Sequence, residues 1–441
     1  MAATDASIYE KFTIESADGS KTVDIKEGVV GFIYYENVLS PALTATVIVV
    51  NTGGTVQGDE GKMEGLYNGL PLRGGERVII KIAGNSTNNE GLDFSQDPTQ
   101  YFFVASVSNV TIDPEKEIFT LHLVSRESIT NQTSRVGKKF PTSQNISDSV
   151  KDILKQYLKT DKIGEIDTTQ NKYGFIGNMK KPFTILTWLA SKSVAYNGPG
   201  KDSTAGFLFF ETQKGFNFRS IDNLINQEPF TFDYTYNPSV TKIDDSTKDF
   251  KIIKCNIDRN QDLLGKLQRG AFSSERYYIN PVSFSPDIRH FKAKDYIGEV
   301  SNLGDEQISL PSDDEGQSLG ELPTRIFVSM LDVGTIEKTA TDKGWNDPVD
   351  RNADPAKTQA QSMMRYNQLM SQMVSMTIPL NTNLTAGSII RCVFPSIDDE
   401  KRKSPDTKSS GLYMIIELAH YFDAKGSYTK LKIVRDTSGR K

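Results

Sequence analysis

The sequence is poor in the residues that most often build chemistry. It holds two cysteines, three histidines and two tryptophans in 441 residues. Cys255 and Cys392 each lie in an apolar, strand-like run, which fits two buried free thiols better than a disulfide scaffold. His122, His290 and His420 lie far apart, and none has a second His or a Cys at metal-ligand spacing, so no metal or other cofactor is expected. A formal charge of −5, from 51 basic and 56 acidic residues, argues against a protein that grips nucleic acid through a general positive field. A local basic patch stays compatible with that average. No apolar run reaches the length of a membrane span, and the opening MAATDASIYEKF lacks a basic stretch followed by an apolar one. Stable membrane insertion is therefore not expected, and the chain is expected in cytosol-like surroundings or in a particle assembled there.

Catalytic signatures are equally sparse. The run Gly53 to Lys62 is glycine-rich, but Lys62 is followed by Met63 where a phosphate-binding loop needs Ser or Thr, and Asp59 and Glu60 repel phosphate. Asp398, Asp399 and Glu400 are followed directly by Lys401, Arg402 and Lys403, which reads as a solvated mixed-charge loop and a candidate for docking a neighbouring protein. The other acidic residues cluster in apparent loops and offer no carboxylate pair for hydrolysis. Asn131-Gln132-Thr133 matches a glycosylation acceptor, to which no role is given without a secretory signal. An enzyme is not expected.

What the chain does contain is β pattern. Residues 8 to 50 alternate as strands, ending in Ala42 to Val50, and residues 51 to 75 form a glycine-rich loop with a short polar helix at most. Arg77 to Gly84, Tyr101 to Asp113 and Glu117 to Ser125 continue the pattern, so residues 1–130 are expected to form one β-domain. The period then changes. Ile146, Val150, Ile153, Leu154, Tyr157 and Leu158 fall on one helical face with Asn145 as cap, and a second helix starts near Pro182. Gly206 to Glu211 and Gly215 to Ser220 form a short hairpin. Residues 302 to 320 are polar enough to read as an exposed loop. Ala356 to Val374 reads as a helix whose Met363, Tyr366, Met370 and Met373 stripe packs inside the protomer or meets a neighbouring subunit.

The last stretch organises the rest. GLYMIIELAHYF (Gly411 to Phe422) and SYTKLKIVR (Ser427 to Arg435) flank a short turn and read as a long antiparallel hairpin. Strict alternation puts Leu412, Met414, Ile416 and Leu418 on one face and Tyr413, Ile415, Glu417 and Ala419 on the other. Leu384 to Pro395, Gly411 to Gly439 and the phrase NLINQEP (Asn223 to Pro229) resemble the central baseplate hub protein of T4-like contractile-tailed bacteriophages. More distantly they resemble the hub modules of phage late-control and type VI secretion spike proteins.

The resemblance implies a mainly β fold with α+β insertions: two tube-type β-barrel domains per chain plus peripheral α+β domains. The first β-domain is expected at 1–130, an α+β peripheral domain at 131–240, and a discontinuous second β-domain at 241–290 and 371–441. Residues 291–370 are then an inserted peripheral segment with an amphipathic helix. The resemblance further implies a homotrimer forming a pseudo-sixfold ring, a trimeric central spike as partner, contacts to tail tube and baseplate proteins, and transient, non-specific passage of DNA through the lumen. The expected location is the tail baseplate of a virion assembled in the host cytoplasm. Because the hairpin closes just before Lys441, the spike is expected as a separate protein. Thr44, Thr46, Glu417, Lys430 and Lys432 are the candidate tube-domain contacts, being wet-face residues of strands. If the strands line a channel, their lumen face is expected to avoid a strongly positive coat that would hold DNA. Two other readings share parts of the pattern: the hub of a contractile bacteriocin or secretion-system spike, and a carbohydrate-binding β protein.

Overall fold

Alternation of apolar and polar residues places one long sheet at the centre of the computed structural model, which describes residues 4–57, 61–86, 89–196, 204–236, 248–279, 284, 286–306, 310–330, 355–396 and 405–439. Eight strands of this sheet form a wall. They are β1 (Val29–Asn37), β2 (Thr44–Thr52), β3 (Phe102–Ile112), β4 (Lys116–Ser125), β5 (Lys254–Asn260), β6 (Gln372–Pro379), β7 (Gly411–Asp423) and β8 (Gly426–Arg435). In space they run β5-β6-β8-β7-β1-β2-β4-β3, and every neighbouring pair is antiparallel. The wall therefore has two halves of four strands, one from each end of the sequence. They are joined where β7 pairs β1, from Glu417 opposite Asn37 to Asp423 opposite Gly31.

One side of the wall is dry. In β2, Ala45, Val47 and Val49 point into the core while Thr44, Thr46 and Ile48 point away. Phe119, Leu121 and Leu123 of β4 join the same core, as do Leu431 and Ile433 of β8. Tyr9–Glu15 and Arg77–Ser86 fold back over the first half and supply Phe12, Ile14, Val78, Ile80 and Ile82. Ile389–Val393 does the same for the second half through Ile390 and Cys392. Both halves share one continuous hydrophobic cluster, so the junction is a core and not a surface contact.

The terminal hairpin departs from strict alternation. Ile416 has no partner in β8, because Ile415 pairs Ile433 and Glu417 pairs Lys432. This β-bulge flips the pattern. Tyr413, Ile415, Leu418 and Phe422 face the central core, whereas Met414 and Ile416 face a second cluster behind it. The expected face of Leu412, Met414, Ile416 and Leu418 is thus split between two sides.

The remaining elements pack on the back of the wall. Helices α1 (Ile146–Gln156) and α2 (Pro182–Lys192) bury Ile146, Val150, Ile153, Leu154, Leu186 and Leu189 against the hairpin Phe207–Thr212 and Gly215–Ser220. That hairpin is buried on both faces: Phe207 and Phe209 pack on the helices, while Leu208 and Phe210 pack with Ile389, Met414 and Val434. Asn145 stands at the start of α1 but its side chain makes no capping bond; the Thr169 hydroxyl instead accepts from the Ser147 N–H at 3.0 Å.

Helix α3 (Pro355–Leu369) ends earlier than the sequence pattern suggests, since β6 begins at Gln372. Tyr366, Met370 and Met373 pack inward against the cluster of Ile389, Met414 and Val434, so these members of the stripe serve the protomer's interior. The helix is held by polar bonds as much as by apolar ones. The Arg365 guanidinium, 1% exposed, pairs with Asp222 at 2.7 Å and lies 3.6 Å from Asp436. Leu303, inside the stretch read as an exposed loop, is fully buried and donates its N–H to Asp436. Ser273–Ile279, Pro286–Lys292 and Ile326–Met330 form a separate three-stranded sheet, and Tyr234–Thr235 pairs with Cys392 and Val393.

Candidate functional site

The wet side of the wall carries a groove lined by residues of both halves. Residues opposite one another in register line it from β5 to β3. Lys254 sits opposite Thr377, Thr377 opposite Lys430, and Lys430 opposite Ala419. Ala419 then faces Tyr35, and Tyr35 faces Thr44. The next rung passes through Asn256, Ser375, Lys432 and Glu417 to Asn37. Together these residues line a groove of about 870 Å³.

Thr44, Thr46, Glu417, Lys430 and Lys432 all lie on this one face. Sequence alternation suffices to find them, because each sits between buried neighbours in its strand, apolar in every case but Thr429 before Lys430. The loop from Asp398 to Lys403 lies outside the described residues. The face also carries groups the sequence did not single out. Tyr421 and Tyr428 stack with centroids 4.8 Å apart, and the Lys430 ammonium lies 4.3 Å from the Tyr421 ring. Burial, and then the adjacent Tyr421, push the Tyr35 hydroxyl up from its ordinary pKa. Tyr421 falls on the face of Glu417 and Ala419 by simple alternation, whereas the bulge at Ile416 turns Tyr413 and Ile415 away from that face into the core.

Charges on the face nearly balance. Lys432 lies 3.7 Å from Glu417, and the Ser375 hydroxyl bonds to Asp258. Lys254, Lys430 and Lys432 thus stand against Glu417 and Asp258. In the first half the same face carries Thr44 and Thr46, and the His122 ring nitrogen Nε2 is bonded to the Ser108 hydroxyl at 2.8 Å.

The joint between the halves is polar at one point. Glu36 of β1, 2% exposed, accepts from the Tyr34 hydroxyl and from the N–H groups of Gln213 and Ala386, each at 2.7 Å. One carboxylate therefore ties the first half to the buried hairpin and to the turn before Gly387. Burial pushes its pKa up to about 7. His420 pairs with Tyr34 across the same joint, stacks on its ring and bonds Thr429; burial holds the imidazole down at about 3, so it stays neutral.

Among the described residues no group of three or more His, Cys, Asp or Glu is placed to hold a metal ion. No helix among them is long and apolar enough to cross a membrane.

No protein-family model matches the chain. In sequence it is 22% identical over 305 residues to the probable baseplate hub protein gp334 of Vibrio phage KVP40, a match spanning 66% of each chain. In fold it is similar to the crystal structure of a tail protein from Neisseria meningitidis MC58, with a TM-score of 0.53, 10% identity, and coverage of 97% of this chain and 96% of that one. It is also similar to the 43 kDa tail protein of prophage MuSo2 from Shewanella oneidensis, with a TM-score of 0.51, 12% identity, and coverage of 97% and 100%. Sequence and fold point the same way: the chain is similar to the baseplate hub proteins of bacteriophage tails.

Proposed function

We propose that the protein is the structural hub of a phage tail baseplate. In this reading three copies form a ring that joins the tail tube to a separate trimeric spike and surrounds the passage used by the genome. The ring resides in the tail baseplate of the virion and is assembled in the host cytoplasm. The observation that carries the reading is the wall itself. Each chain supplies two four-stranded halves joined edge to edge by main-chain hydrogen bonds. Three chains supply six, which matches a threefold hub to a sixfold tube.

The chemistry of the wet face supports a channel lining. Polyanionic DNA is retained where lysines are unopposed, because each phosphate contact releases counterions. Here Lys432 is offset by Glu417, Lys430 lies over a tyrosine ring, and the Asp258 carboxylate stands on the same strand as Lys254. Thr44, Thr46, Glu417, Lys430 and Lys432 are then lining residues at the boundary with the tube.

The test is uptake of the spike. Purified protein is mixed with the trimeric spike protein from the same genome and resolved by size exclusion. One spike trimer for every three chains is the expected stoichiometry. A protein that never co-elutes with the spike contradicts the hub reading.

A further inference from the structure

Each end of the wall carries an open edge among the described residues. Strand β5 pairs only with β6. Strand β3 pairs with β4 along its length but meets Arg77–Ser86 only at Phe102 and Phe103, so its outer edge is open from Ala105 to Ile112. Apolar side chains are exposed on both edges: Val110 at 39%, Ile112 at 55% and Ile257 at 54%. Open edges of this kind invite pairing with another chain.

The joint inside the chain supplies the template. The first residues of β7, Gly411 to Met414, pair with Ile389–Val393; the bulge at Ile416 follows, and the rest of β7 pairs with β1. Strand β3 repeats this plan. Phe102 and Phe103 pair with Val78 and Arg77, Ala105 is an extra residue between Val104 and Ser106, and the part that follows is open. In the two ladders His122 corresponds to Lys432, Thr46 to Ser375, and Ile33 to Asn256. The open part of β3 thus corresponds to the part of β7 that pairs β1, and β5 corresponds to β1.

One detail fixes the register. Relative to its inner neighbour, β3 holds an extra residue between Ser108 and Thr111, which pair Thr120 and Ile118, and Asn109 there adopts a left-handed φ of 52°. Relative to its own inner neighbour, β5 holds an extra residue between Ile257 and Arg259, which pair Val374 and Met373. Carrying the internal joint's register across places these two irregularities opposite each other. Both strands are then longer by the same residue, and the ladder between them runs without a break.

We propose that β3 of one copy pairs antiparallel with β5 of the next, with Ser108 opposite Arg259, Val110 opposite Ile257 and Thr111 opposite Asn256. The direction is consistent, because an even number of alternating strands leaves the end strands running opposite ways. Pairing covers Val110, Ile112 and Ile257, and the contact is head-to-tail, as a closed ring requires. The proposal rests on the ring reading and specifies its seam.

The test uses the full chain with Cys255→Ser. Thr111→Cys combined with Asn256→Cys should oxidise to covalently linked trimers. Thr111→Cys with Lys254→Cys, slipped by two residues or about 7 Å, should crosslink at least tenfold more slowly. Light scattering of the unoxidised samples separates the outcomes. If they are trimeric and neither pair crosslinks, or the slipped pair is faster, the register is wrong while the ring stands. If they are monomeric, ring and seam both fall. As a second variant, Val110→Asp should abolish trimers without shifting the melting of the monomer, since its side chain is exposed there. A trimer that survives this change places the seam elsewhere.

Discussion

The two halves of the wall differ most where they end. At the internal joint, β7 meets β1 over Phe422, Phe32, Tyr34 and Leu418, all buried in the common core. At the outer edges the corresponding strands expose Val110, Ile112 and Ile257. The backbone plan is the same in both places, down to the bulge that precedes the joining segment. The difference teaches that a joint built for folding carries its apolar residues inward from the start, whereas the seam proposed for assembly leaves them on the surface of the single chain.

The largest effect that separates the two comes from truncating the internal joint. Phe422 is 2% exposed and stacks on Phe32 at 5.8 Å, so Phe422→Ala should cost ~3–5 kcal/mol in urea denaturation. An equivalent loss from Ile257→Ala would erase the distinction; that exposed side chain should change monomer stability by less than ~0.5 kcal/mol.

A pH dependence should also belong to the internal joint alone. The pKa of Glu36 in the fold, about 7, lies above the ordinary 4.5, so the folded state keeps a proton that the unfolded state has lost. Stability from this group is greatest below about pH 4.5, falls as pH rises towards 7 and is flat beyond. The fall amounts to at most ~3 kcal/mol. Denaturation of wild type and Glu36→Gln at pH 5 and pH 8 should show the difference between them shrinking in that sense. A difference that does not change with pH removes Glu36 as the titrating group.

The smallest effect concerns the wet face. Lys432→Ala breaks a part-exposed ion pair of 3.7 Å with Glu417 and should cost under ~1 kcal/mol by the same denaturation assay. A larger loss would mean that the face contributes to folding, not chiefly to lining a passage.

Much of this wall was legible in the sequence because period-two patterning reports burial directly. Thr44, Thr46 and Lys432 stand out as polar positions between apolar ones, and the structure places them on one face with Lys430 and Glu417. Helices α1 and α2 follow from their apolar spacing. The misses have one physical cause, which is that linear patterning cannot see an inserted residue or a distant partner. The bulge at Ile416 turns Tyr413 and Ile415 into the core, although alternation places them on the face of Glu417 and Ala419. Helix α3 shows one apolar stripe in sequence, yet Gln361, Ser362 and Arg365 off that stripe are also buried, bonded by Ala205, Ser191 and Asp222 from elements far away in the chain. Leu303 is buried for the same reason, through Asp436. The pairing of β7 with β1 joins residues more than 350 positions apart, and nothing in either strand names the other.

The most direct measurement is the mass of the purified protein by light scattering over a wide concentration range. The account predicts a closed trimer of about 147 kDa, three times the 49.1 kDa chain, that does not grow further as concentration rises. A mass of 49.1 kDa throughout, or a species that lengthens without limit, would contradict it.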